Sequence, residues 1–237
     1  MVLGNLIDAA AAILSNTEKR LETISNNIAN TSTPGFKRII SGFATESGEN
    51  RKIDIKPIQT LRNDSSQGVL KQTGSSLDIA ISGIGYFLVR REDQYFLTRA
   101  GGFSRGPEGA LRTAEGLVLQ LAGGADAAVE SDAVEILGDG TILDRGTPVG
   151  RIGVYAAPSD GVDRGGGLIR IASEPDLADE GAYEVRQAML ESSNVVLSDE
   201  MVALMANTRQ AEGGAQLVRL YDQLIGQAIT TFARAGR

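Results

Sequence analysis

The chain contains neither cysteine nor histidine among its 237 residues. Without cysteine there is no disulfide framework and no thiolate metal site. Without histidine there are no Ser-His or Cys-His nucleophile pairs and none of the common imidazole metal sites. Tryptophan is also missing and aromatics make up only 5%, although a hydrophobic fraction of 42% is enough for a core. A net charge of −7 leaves no basic surface for wrapping nucleic acid. Long hydrophobic runs are absent too. The most apolar N-terminal stretch, Val2 to Leu14, is interrupted by Asn5 and Asp8 and is too short to span a membrane. It lacks the positively charged start of a cleaved secretory signal. On these absences alone the chain reads as a cytoplasmic protein without a cofactor.

What is present is periodicity at both ends. Leu3, Ile7, Ala10, Leu14, Thr17, Leu21, Ile24 and Ile28 recur at alternating steps of four and three. That 3.5-residue period is the spacing of a coiled-coil seam and predicts a helix over 2–29. The pattern stops at Asn26-Asn27-Ile28-Ala29-Asn30, where asparagine amides compete for backbone groups. Thr33, before proline, is pushed away from helical geometry, and Pro34-Gly35 makes a turn. Near the other end, Ser198 stands as an N-cap with Asp199 and Glu200 at the positive end of a second helix. Met201, Leu204, Thr208, Ala211, Ala215 and Val218 then carry the same alternation. It resumes after one shortened step at Tyr221, Ile225, Ala228 and Phe232. Gly213-Gly214 interrupts this helix, either to admit a close neighbour or by simple tolerance.

Between the helices the period changes. Residues 39–70 read as extended or weakly structured, with a short alternation at Ile53 and Ile55. From Leu77 onward, short apolar runs separated by glycine-containing turns predict strands: Leu77–Ile81, Tyr86–Val89, Tyr95–Thr98, Ala110–Thr113, Leu117–Leu121, Val134–Leu137, Thr141–Leu143, Val149–Ala156 and Leu168–Ile171. Strands this short and frequent suggest an all-β sandwich or partly open barrel. Gly83-Ile84-Gly85 lacks the further glycine and the helix of a phosphate loop. Asp78, Asp139 and Asp144 have the residue type for acid–base work, yet beside glycines they read as turn caps. The acidic group Glu174, Asp176, Asp179 and Glu180 lacks the spacing and central glycine of a calcium loop and reads as solvated surface.

The wording of the two boundary stretches carries a family resemblance. Asn26-Asn27-Ile28-Ala29-Asn30 followed by Thr33-Pro34-Gly35-Phe36-Lys37 resembles the N-terminal signature of bacterial flagellar rod and hook proteins. Gly83-Ile84-Gly85-Tyr86-Phe87, then Tyr95 with Thr98-Arg99-Ala100-Gly101-Gly102-Phe103, is similar to that family's β-region elements. Gly102 stands where asparagine is more usual, and Gln120 where glycine is common. Ser193-Asn194-Val195 ahead of Glu200-Met201 resembles the C-terminal motif, although Arg209-Gln210-Ala211-Glu212 lacks its aromatic.

The resemblance implies an α+β fold. A discontinuous coiled-coil domain comes from the terminal helices, and a central all-β domain from the middle. The expected divisions are 1–30 for the first helix, 31–70 for a linker, 71–185 for the β domain and 186–237 for an approach segment and second helix. It implies a structural subunit of the basal-body rod, of the proximal type, that polymerises through paired terminal helices into a helical axial assembly and transmits torque. Its partners would be copies of itself, other rod and axial proteins, and the flagellar export apparatus, which uses an uncleaved N-terminal region. No enzyme activity, cofactor or metal is expected. The motif residues placed in assembly are Asn26, Asn27, Ala29, Asn30, Thr33, Pro34, Gly35, Phe36, Lys37, Ser193, Asn194, Val195, Glu200 and Met201. The seam residues are Leu14, Leu21, Ile24, Ile28, Leu204, Val218 and Ile225. The alternatives are a distal rod or hook subunit of the same family and, from a different class, a secreted β-domain binding protein.

Overall fold

The computed structural model describes residues 2–45, 57–131, 133–156, 167–171, 175–179 and 181–235. Ile53, Ile55, Glu174 and Glu180 lie outside the described residues, as do the side chains of Leu3, Ala228 and Phe232. The chain opens with α1 (Val2–Ala29), then β1 (Ile39–Thr45), β2 (Pro57–Asn63), β3 (Leu70–Gln72), β4 (Ile79–Gly83), β5 (Tyr86–Arg91) and β6 (Gln94–Thr98). It continues through β7 (Phe103–Arg105), β8 (Leu111–Thr113), β9 (Val118–Leu119), β10 (Val134–Ile136), β11 (Thr141–Asp144), β12 (Thr147–Arg151) and β13 (Val154–Tyr155). It closes with β14 (Leu168–Arg170), β15 (Tyr183–Gln187), β16 (Met189–Glu191) and α2 (Leu197–Ala235). The result is α+β, with helices at the two ends and strands between. Two units divide the chain: Met1–Ile28, Ser41–Leu61 and Val196–Arg237 form the first, Ala29–Ile40 and Arg62–Val195 the second.

The second unit is built on antiparallel pairs. A sheet runs in the order β14-β6-β5-β9-β8-β7, with β13 also paired to β5. Separate ladders join β10-β11-β12, β15-β4 and β16-β3. The β5–β6 hairpin sets Val89 opposite Phe96 and turns at Glu92, whose φ is +52°. Ile79, Ile81, Phe87, Val89, Leu111, Leu117, Leu119, Ile142, Ile152, Val154 and Val185 fill the core, with Phe87 and Phe103 meeting edge to face at 5.9 Å. At about 25 cal/mol per Å² of apolar area, burial of this order is what stabilises short ladders that are individually marginal.

One sequence expectation changes here and two extended segments gain definite pairing. The single run at Val149–Ala156 is two strands, β12 and β13, which pair with different partners. Residues 39–70 hold the paired strands β1 and β2, whose mixed polar sequence hid them from periodicity. The approach to the second helix contains β15 and β16, with Ala188 between them at φ +56°.

The first unit holds the helix pair. The side-chain amide of Asn27 donates to Glu200 at 3.4 Å, and that of Asn207 donates to the Thr17 carbonyl at 2.8 Å. Gly214 faces Ile13 and Leu14, and a Cβ there would lie 3.1 Å from both side chains. The order of these contacts makes the helices antiparallel. On α1 the buried row is Ala10, Thr17 and Ile24, and on α2 it is Glu200, Asn207 and Gly214, each spaced by seven. Leu14, Ile28, Leu204, Val218 and Ile225 are half-buried, but Leu21 is 43% and Met201 51% exposed. The contact face of α2 is thus turned by one residue from the apolar row, because Glu200 and Asn207 find polar partners on α1 that a hydropathy pattern cannot register. The helix also begins one residue before Ser198, whose hydroxyl meets the Asp199 carboxylate rather than a backbone amide, so Ser198 is not the cap.

The two central glycines of α2 differ in surroundings. A Cβ on Gly213 meets nothing within 4 Å. Gly213→Ala is expected to stabilise the helix pair by about 1 kcal/mol through helix propensity. Gly214→Val is expected to destabilise it, since its branched side chain must displace Ile13 and Leu14. Thermal melting followed by helical circular dichroism checks both signs.

Candidate functional site

The turn that ends α1 is shaped by its own sequence. The Thr33 amide donates to the Asn30 carbonyl at 3.1 Å, and the Thr33 hydroxyl meets the Asn30 side chain at 3.0 Å. Gly35 then takes φ +72°, and its Cα packs against the Arg99 backbone so closely that a Cβ would fall 2.2 Å from a carbonyl carbon. Only glycine fits there. The turn drives Phe36 to full burial and sends Lys37 inward, where its side chain is 3% exposed.

Lys37 meets a carboxylate from the far end of the chain. Its ammonium donates to Glu191 Oε1 at 2.6 Å and to the Ser66 carbonyl at 2.7 Å. The same Oε1 accepts the Gly68 amide at 2.8 Å. Glu191 Oε2 accepts from the Arg99 guanidinium at 3.1 Å. Arg99 also donates to the carbonyls of Ile81 and Gly83 and lies over the Tyr86 ring at 5.2 Å. The Glu191 and Arg99 side chains are 1% and 4% exposed. Two cations therefore share one buried anion, and carbonyls and an aromatic face take further donors, while Arg99 Nε is buried with no hydrogen-bond partner. Burial pulls Lys37 below the ordinary lysine range, and the hydrogen bond it donates to Glu191 opposes that pull only in part.

Around this group the two boundary stretches are tied side by side. The Gly35 amide donates to the Glu191 carbonyl at 2.7 Å. The Asn194 side chain accepts the Arg38 amide at 2.7 Å and donates to the carbonyls of Asp64 and Ser66, each at 3.0 Å. Val195 is buried, and its amide donates to the Ser193 hydroxyl at 3.2 Å. Of the residues singled out from sequence, Gly35, Phe36, Lys37, Ser193, Asn194 and Val195 thus gather in one place in the second unit. Thr33 is half-buried and Pro34 exposed at its edge. Asn27 and Glu200 meet in the helix pair, Asn26 is half-buried, Asn30 lies in the turn, and Ala29 and Met201 are exposed. Glu191, the centre of the cluster, was not anticipated. A single carboxylate in a mixed segment gives no periodic signal, and the need for it shows only when Lys37 and Arg99 are both seen to be buried.

The aspartates considered for catalysis have structural partners. Asp139 accepts the Thr141 amide and hydroxyl, each at 2.9 Å, which holds its carboxyl below the usual range. Asp144 accepts the Ser131 hydroxyl and the amides of Glu130 and Ser131, with the same direction of shift. The Asp78 backbone pairs with Gly102 and accepts the Met189 amide. Among the described residues there is no cluster of acidic side chains able to hold a metal ion.

Three family models match the chain in order. The flagella basal body rod protein model covers residues 7–37, the D1 domain model of the flagellar hook protein FlgE/F/G covers 80–143, and the C-terminal model of flagellar basal body rod FlgEFG proteins covers 186–231. The flagellar basal-body rod protein FlgF of Rhizobium meliloti is 32% identical over 90% of this chain and 92% of its own length. The chain belongs to the flagellar basal-body rod protein family. FlgG of Bacillus subtilis, another basal-body rod protein, is 30% identical over 91% of this chain and 94% of its own. The hook protein FlgE of Caulobacter vibrioides is 36% identical but over 51% of this chain and 22% of its own. The first and last matched segments carry Lys37 and Glu191, so the ion pair joins two family-matched regions of a structural rod subunit.

The buried cluster has a measurable consequence. Glu191→Ala leaves two buried cations without their anion and is expected to cost about 3–5 kcal/mol, read as a lower urea midpoint with an unchanged slope. The sign of the Lys37 effect also follows. Its folded pKa lies below 10.5. The unfolded chain therefore binds more protons as pH rises toward that value, and this group's contribution to stability rises with pH there. Lys37→Met is expected to remove that alkaline rise.

Proposed function

We propose that the protein is a subunit of the proximal tier of the flagellar rod, polymerising through its terminal helices into a helical axial assembly that transmits torque. The observation that carries this reading is the apolar row left open on α2. Leu197, Met201 and Met205, with Val202 beside them, follow one another at helical spacing and are 43–67% exposed. On α1, Ile7 and Leu21 form a second open row at an interval of fourteen. A helix pair that spends polar and small residues on its internal contact and keeps its methionines and leucines outward is suited to packing against further helices. Contacts repeated head-to-tail without closure give a filament.

In this reading α1 and α2 form a coiled coil in the assembled state, and the strand order of the second unit is that of a sandwich or partly open barrel. The partners are copies of the chain and other axial proteins. The export apparatus of the flagellum recognises the chain without a cleaved signal, and no helix among the described residues is long and apolar enough to cross a membrane. The chain is not an enzyme, in keeping with turn-bound aspartates and a sequence without histidine or cysteine.

The test separates the internal and outward faces. Met201→Asp with Met205→Asp is expected to leave the free subunit's helix content unchanged and to abolish rod completion and swimming. Ile24→Asp, which places a carboxylate at a buried position, is expected to lose both the helix pair and the rod. Gln94→Asp, on an exposed strand end, is the tolerated control. Normal rods and motility in the methionine double variant would remove the terminal helices from assembly.

A further inference from the structure

Where the chain enters and leaves the second unit, it is fastened to itself. Gly35 bonds to Glu191, Arg38 to Asn194, and the Asn194 amide to the Phe36 carbonyl at 3.4 Å. Lys37, Gly68 and Arg99 all converge on the Glu191 carboxylate. Helix α1 ends at Ala29, a few residues before this fastening, and α2 begins at Leu197, a few residues after it. The interval between the helices in sequence is long, yet the fastening leaves only short tethers on each side.

We propose that the Lys37–Glu191–Arg99 cluster is an intrachain clasp that preorganises the pairing of α1 with α2. The boundary motifs then act within one subunit, and Glu191 is a positioning residue for helices it does not touch. The coupling runs through chain connectivity alone. With the clasp closed, the loop between the helix ends is about 12 residues; with it open, the chain is still shortened by the β1–β2 pair, closed by the Asp64 amide on the Arg38 carbonyl, and by the β16–β3 ladder, and the loop grows to about 21 residues. By the three-halves power of loop length, closing the clasp favours pairing about twofold. The helix pair is tuned to need such help. Its central contacts are an amide on a carboxylate, an amide on a carbonyl, and a glycine on aliphatic side chains. Each is worth little net, whereas a Leu-on-Leu seam would hold by itself.

The clasp is also built to close in one way. Glu191 presents each oxygen to a different cation, and Asn194 bonds simultaneously to segments around Arg38, Asp64 and Ser66. Four stretches distant in sequence must arrive together for all of these bonds to form. A partly formed clasp leaves an unpaired ion in an apolar setting, so intermediate states are disfavoured.

The experiment is hydrogen exchange on the dilute full-length free subunit, a setting in which rod assembly plays no part. Glu191→Gln removes the anion but keeps the shape. The expected result is an about twofold loss of protection shared by α1 and α2 amides, with the β5 and β6 core amides as protected as in the unaltered chain. Lys37→Met with Asn194→Ala, which cuts both side-chain ties between the entry and exit segments while Glu191 keeps Arg99, should give the same pattern and decides the matter if Glu191→Gln disrupts the β core. Helix protection in that double variant equal to that of the unaltered chain, while the Arg38 amide exchanges freely, overturns the clasp. That outcome would leave the assembly role of the outward methionines untouched, and failure of the methionine variants would leave the clasp standing.

Discussion

A carboxylate buried between two cations constrains everything near it. Glu191 cannot be removed from water without Lys37 and Arg99, and neither cation can be buried without Glu191. Such a group adds little net stability over an apolar core of the same volume, but it punishes every arrangement in which one member is missing. Here the members come from the turn after α1, the segment after β6 and the end of β16. The fold is therefore obliged to bring the two ends of its middle section together. Gly35 shows how strictly, because its left-handed backbone and contact with Arg99 admit no side chain.

The helix pair follows a different logic. Its buried rows contain Thr17, Glu200, Asn207 and Gly214, residues that supply specificity of register more than energy. Apolar residues that would ordinarily form a seam, such as Met201 and Leu21, stay outward. In a rod subunit these two choices are complementary, since a weak internal contact leaves the apolar surface for neighbours. The second unit, by contrast, has a conventional apolar core around Phe87, Leu119 and Ile152 and carries its own stability.

Much of this is legible in the residues. Both helices, the β5–β6 hairpin and most short strands of the middle appear as changes of hydrophobic period, because each buries one face. β1, β2, β15 and β16 do not; β15 turns Tyr183 and Val185 to the core, but two apolar residues are too few for the alternation to stand out. The seam was readable as to period but not as to phase: Glu200 and Asn207 sit where the contact is, and only the partners Asn27 and Thr17 reveal why a polar residue is tolerated there. Lys37 and Asn194 were identifiable as motif residues. Their shared partner was not, because a contact across more than 150 positions leaves no local pattern.

The outward faces of the terminal helices are, on the function proposed above, where this rod subunit meets its neighbours. Cryo-electron microscopy of isolated basal bodies, at a resolution that shows side chains, tests it most directly. The account predicts Leu197, Met201, Val202 and Met205 packed against helices of neighbouring subunits, with Glu191 still bound to Lys37 and Arg99 of its own chain. Those four side chains facing solvent in the assembled rod, with subunits joined only through their β units, would contradict it.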